Sequence, residues 1–221
     1  MDFIFYHIFY HIFYRIMDMI PVGFDAMACT YILRTWAFDT LTTKRNRSTV
    51  QREMAISIFV GCIAALLTTT VFCGEKSYDF SWYSVNMIPG QIFSDAAYIW
   101  KNYRDYFPCM ITTALVLNPL AFMPIGFFIP LLWEGKKPWI PVGVGFFTSL
   151  AIEFYQISMR NRVADIDDLI MCTLGAFLGY LIYSRIRKKN PSWIKKFRLQ
   201  KGFYVDSYEE FVKVIMEIKD Q

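Results

Sequence analysis

The chain has 221 residues, 55% of them hydrophobic and 19% aromatic, and a formal net charge of +4. That apolar share is well above what a water-soluble domain of this length carries and points to a membrane protein rather than an ordinary soluble fold. Basic loops and a basic tail account for the small positive charge, and no nucleic-acid-binding module is visible, so no nucleic-acid partner is expected.

In chain order, the first 38 residues stay apolar for longer than one straight span requires, and Pro21 and Gly23 interrupt them. Residues 1–19 read as an aromatic interfacial helix or an extra membrane helix. The repeat HIFYHIFY sets His7, His11 and Arg15 on one helical face at i, i+4, i+8, a polar stripe suited to the headgroup layer or to a neighbouring helix. A metal or proton-relay role for the two His is the minor reading. The start is acidic and no small-residue cleavage site follows, so no cleavable signal peptide is expected.

A first span is then expected over about 20–38, and apolar runs at 55–72, 109–133, 139–158 and 168–183 follow. Such runs are long enough to cross a hydrocarbon core of about 30 Å. The expected fold is an all-α polytopic bundle of about five spans, with residues 20–190 as the transmembrane domain. Between the second and third spans, the aromatic and polar stretch 78–106 contains IPG at 88–90 and predicts a short helix over 92–103 lying on the outer surface. Its Trp and Tyr residues suit the headgroup layer.

The basic tail, 191–221, ends in SYEEFVKVIMEIKD, where Ser207 and Glu210 are spaced as a capping box and Phe211, Ile215 and Ile218 share a face. A short cytoplasmic amphipathic helix is expected there. The basic stretch before it attracts anionic lipid at about 1 kcal/mol per charge near the surface. The five Cys, at 29, 62, 73, 109 and 172, show no CxxC or Cys/His spacing, so neither a zinc site nor a disulfide framework is indicated. A Cys73–Cys109 bridge is the minor reading, and no metal or cofactor is expected.

Short basic loops mark the cytoplasm. With five spans, TTKRNRSTVQRE, EGKKP and RIRKKNPSWIKKFRLQK all fall on one side, while the mixed or acidic connections fall on the other. This places the N-terminus outside and the C-terminus in the cytoplasm.

The polar residues inside this apolar chain are concentrated in one region. Ser149, Glu153 and Gln156 stand at i, i+4, i+7 and share a helical face. In the next span Asp165, Asp168, Cys172, Gly175 and Gly179 follow one another at three or four residues, and the two glycines have the GxxxG spacing that admits a close neighbour. Asn118 precedes Pro119, Pro124, Gly126 and Pro130, a combination that frees backbone groups for other partners.

Asp165 can cap the last span with Asp168 in its first turn, Arg162 can neutralise Glu153, and Asp167 is expected to face water. Glu153, about one turn inside a span, is costly there and marks a pairing site or reaction centre. If these groups converge with Asn118 and Gln156, three chemistries open: a hard cation on oxygen ligands, an acid–base carboxylate pair, or a polar ligand held by hydrogen bonds and the Arg162 guanidinium. Spacing alone does not separate them.

The stretches LNPLAFMPIGFFIPLLWEGKK, SLAIEFYQ and RNRVADIDDLIMCTLGAFLGYLI resemble the VanZ-like family of bacterial membrane proteins, with the core of the likeness over 118–183. The pattern rests on Asn118, Phe122, Pro124, Gly126 and Phe127, a basic turn, Ser149 with Glu153 and Gln156, then Arg162, Asp165 and Asp168 before a glycine helix. Cys172 departs from it, because the family usually carries Asn there.

The resemblance implies association with low-level resistance to glycopeptide antibiotics, chiefly the lipid-tailed teicoplanin, in Gram-positive bacteria. The leading expectation is an outer-facing groove in the cell membrane, lined by Asn118, Ser149, Glu153, Gln156, Arg162, Asp165 and Asp168. It would bind a cell-wall precursor or the lipoglycopeptide itself, with membrane lipids as the other partners. One alternative is an intramembrane enzyme acting on a lipid-linked cell-wall precursor, with Glu153, Asp165 and Asp168 as candidate catalytic carboxylates. The other is a transporter or membrane scaffold, although no inverted repeat of spans is visible.

Overall fold

The computed structural model describes residues 17, 19–34, 46–72, 85–102, 113–133, 137–157, 164–198 and 200–201. Helix α1 covers residues 19–34. Helix α2, Val50–Leu67, begins behind Thr49, whose side chain accepts the Arg52 N–H, and runs on into a π turn, Thr68–Phe72. Helix α3 is Gln91–Asn102, close to the expected 92–103. Helix α4, Asn118–Leu132, is entered through a second π turn, Thr113–Leu117. Helices α5, Trp139–Gln156, α6, Ile166–Lys189, and the short α7, Pro191–Lys195, complete an all-α bundle.

Three of these helices are long and apolar enough to cross a membrane: Val50–Val71, Ala114–Leu132 and Ile166–Lys189. Of the five expected spans, then, three carry that signature among the described residues. Helix α5 has the length, but Ser149, Glu153 and Gln156 lower its hydropathy, and α1 is described only over 19–34. The His7, His11 and Arg15 stripe, Cys73 and Cys109, Arg162 and the tail helix expected over 207–218 lie outside the described residues.

Backbone contact organises the core. Helix α4 packs along α6, α5 packs against both, and α2 lies on α4. A side-chain carbon built on Gly175 would meet the Pro119 carbonyl oxygen at 2.1 Å, and one on Gly179 would meet that of Met123 at 2.1 Å. The GxxxG face of α6 therefore seats the backbone of α4, as its spacing predicts. Gly126 returns the contact from α4, where a methyl would fall 1.8 Å from the Ala176 carbonyl oxygen, and Gly145 of α5 abuts the Ala176 methyl. Gly23 and Gly61 bring α1 and α2 together in the same way.

Side chains fill the space between these contacts in two clusters. Leu66, Phe122, Ile125, Ile152 and Cys172 form one, and Ala55, Leu131, Leu132, Tyr183 and Ile194 the other. Pro124 and Pro130 lie inside α4. By the i→i−4 rule they leave the carbonyls of Leu120 and Gly126 without their usual helical donors.

The two ends of the bundle are tied differently. At the basic end, buried Arg52 donates to the carbonyls of Leu132, 2.6 Å, and Phe197, 3.1 Å, which joins the end of α4 to the tail. Thr49 donates to the Lys196 carbonyl, and the two-residue strands β1, Asn46–Arg47, and β4, Gln200–Lys201, pair antiparallel. Glu53 takes hydrogen bonds from Arg34 and Ser48. At the opposite end, β2, Val85–Asn86, pairs in parallel with β3, Ala164–Asp165, and lays the segment carrying α3 across the start of α6.

Candidate functional site

The start of α6 is where the polar residues collect. Asp165 is its N-cap, in extended conformation at φ −122° and ψ 124°, and its side chain accepts the Asp167 N–H at 2.9 Å. Asp167 and Asp168 stand in the first turn, where the unpaired N–H groups and the positive end of the helix dipole favour carboxylates. The cap expected for Asp165 and the first-turn place expected for Asp168 are both present.

Glu153 reaches this helix start from α5. Its Oε2 accepts the backbone N–H of Asp165 at 2.9 Å, and the residue is only 8% exposed. An ionisable group so deep in the bundle is thereby given a fixed donor at a helix start, which offsets part of its desolvation. Asn118 arrives from α4 and donates to Asp168 Oδ1 at 2.6 Å. Ser149, fully buried, stands beside Cys172, and that thiol lies close to both Asp168 and Glu153. Side chains from α4, α5 and α6 thus meet in one cluster.

Gln156 takes a different direction. Its Nε2 points to the Thr70 carbonyl in the π turn at the end of α2, at 3.4 Å. It ties α2 to α5 beside the cluster, where the sequence had it lining a ligand groove.

Asp167 does not face water, contrary to expectation. It is 6% exposed, and its two oxygens accept the N–H groups of Gly90, 2.7 Å, and Ile92, 2.9 Å. These are donors at the start of α3, where Gly90 (φ +85°) makes the turn and has no side chain with which to cap. Asp167 supplies the missing cap from another segment. Asn86 adds a bond from Nδ2 to Asp165 Oδ1 at 3.0 Å. Sequence reasoning missed Asn86 and Thr70 and placed Asp167 on the wrong side. The usable signal was a helix whose cap position is a glycine, Gly90 of IPG, so that its first N–H groups needed an acceptor from elsewhere.

The cluster is rich in acceptors: Glu153, Asp165 and Asp168 present carboxylates, held by the Asp165 N–H, Asn86 and Asn118 in turn. Such a wall suits a ligand that offers hydroxyl, amide or ammonium donors. Among the described residues, no three His, Cys, Asp or Glu side chains are gathered as metal ligands would be. The chain matches the family model described as VanZ/LLP1 over residues 56–187, more than half its length and well upstream of Asn118, where the sequence likeness was strongest. No curated protein and no solved structure matches it.

Proposed function

The chain belongs to the VanZ/LLP1 family, and from that premise we propose that its polar cluster faces outward from a multi-pass membrane protein and binds a cell-envelope ligand. By this binding it reduces the effect of glycopeptide antibiotics, the lipid-tailed teicoplanin above all. The observation that carries the reading is the convergence of Asn118, Ser149, Glu153 and Asp168 from three helices. Beyond their part in starting α6, ionisable groups within membrane helices are costly and mark sites or pathways, which supports a functional role for the cluster. The acceptor-rich cluster suits the amide, hydroxyl and amine donors of a peptide- or sugar-bearing envelope molecule.

The test is teicoplanin and vancomycin susceptibility of a Gram-positive host expressing wild type, Glu153→Gln or Asp168→Asn, with membrane levels matched. Both variants keep an oxygen to accept from the Asp165 N–H or from Asn118, so the fold is retained while the charge is lost. Wild type is expected to raise teicoplanin tolerance and the two variants to lose that gain. Equal protection by the variants would reduce the cluster to helix capping.

A further inference from the structure

Helix α5 carries two glycines with opposite surroundings. Gly145 is pressed against Ala176, whereas around Gly143 nothing lies within 4 Å of where a side-chain carbon would be. Glycine inside a helix costs about 0.5–1 kcal/mol relative to alanine, and at Gly143 no described part of the chain uses the space it leaves. Gly143 lines an open apolar groove of about 770 Å³ that follows α5 from Trp139 through Phe147 to Tyr155, with Leu67 at the end of α2 and Val71 in the π turn after it as the other wall.

Charge marks one end of this groove. Lys137, exposed, lies two residues before Trp139, and the same end of the bundle carries exposed Arg185, Lys188 and Lys189 at the end of α6. The far end approaches Glu153 and the carboxylates at the start of α6. A negatively charged headgroup is therefore attracted to one end and repelled from the other. Sixteen helical steps from Trp139 to Tyr155 extend about 24 Å, which exceeds half of a hydrocarbon core of about 30 Å. A single acyl chain entering beside Trp139 fits in the groove without reaching the acidic cluster, and Gly143 sits one turn along its path.

We propose that this groove is a binding site for one acyl chain of an anionic phospholipid whose headgroup is held at Lys137. The site is independent of the envelope ligand, and in the orientation proposed above it belongs to the cytoplasmic leaflet. The full-length chain in nanodiscs, labelled with phosphatidylglycerol or phosphatidylcholine bearing a photoactivatable diazirine in the palmitoyl chain, tests it by mapping labelled peptides.

Phosphatidylglycerol is expected to label α5 between Ile140 and Ala151 in preference to phosphatidylcholine. Gly143→Phe, which places a ring in open space, abolishes that label, and Gly143→Ala leaves it. Lys137→Glu, at an exposed position, removes the preference for the anionic probe whether or not the phenylalanine variant folds. Equal labelling by the two lipids, or an α5 label unchanged in well-folded Gly143→Phe, overturns the proposal in favour of bulk lipid, and cross-links between two copies of the chain overturn it in favour of self-association.

Discussion

Asp167 shows how one carboxylate can do a job invisible in its own neighbourhood. It lies in the first turn of α6, yet its oxygens serve the first N–H groups of α3, more than seventy residues upstream. Losing a buried acceptor for backbone donors costs about 1–3 kcal/mol, and here the loss falls on a segment otherwise held by a two-residue strand pair and Asn86. Asp167→Ala is therefore expected to raise hydrogen exchange of amides 90–96 strongly while α4 and α6 keep their protection. Unchanged exchange in α3 would show that its buried Ile92 and Ala96 hold it unaided. Glu153 was legible because a carboxylate inside an apolar run is conspicuous. Asp167 was not, because in sequence it follows a plausible cap and starts a helix, as a solvated first-turn acid does.

At the scale of elements, the α4–α6 pair is the axis of the bundle, and glycine sets its spacing. Without a water-driven force between helices in a membrane, backbones held close by small residues supply much of the attraction. Gly126→Ala would force a methyl to within 1.8 Å of the Ala176 carbonyl oxygen, so the helices must part. Overpacking of this kind costs about 1–3 kcal/mol or more. Thermal unfolding in mild detergent is expected to drop clearly for Gly126→Ala and Gly179→Ala. For Gly143→Ala, where the methyl meets nothing, it should hold or rise by up to about 1 kcal/mol. Equal losses at all three positions would contradict the packing described.

The GxxxG half of this contact was readable from a four-residue period, and so was the run of apolar residues that makes α2, α4 and α6 long. The π turns at Thr68–Phe72 and Thr113–Leu117 were not. An extra residue in a turn leaves no periodic mark where apolar residues, or threonines bonded back to their own helix, surround it. For the same reason nothing in the sequence indicated that Gln156 would reach the Thr70 carbonyl.

Taken as a whole, the molecule is an apolar bundle with chemically opposite ends, and this polarity is what the basic loops announced. The structure refines the count of those charges. Arg52 is buried and bound to the carbonyls of Leu132 and Phe197, and Arg34 is paired with Glu53, so neither acts as a simple loop cation. What remains at that end is still strongly basic: Lys137, Arg185, Lys188, Lys189 and Lys195 are exposed. The opposite end carries Asp165, Asp167 and Asp168, with α3 laid across it and Phe93 and Trp100 turned outward.

Because retained Lys and Arg mark the cytoplasmic side, the basic end should face inward. In a cysteine-free background, Lys101→Cys on the exposed side of α3 is expected to react with a membrane-impermeant maleimide on intact cells. Lys137→Cys and Lys188→Cys should react only after permeabilisation. The reverse pattern would turn the polar cluster toward the cytoplasm, where it could not meet an antibiotic or a wall precursor outside the cell, and the envelope reading of the site would fall with it.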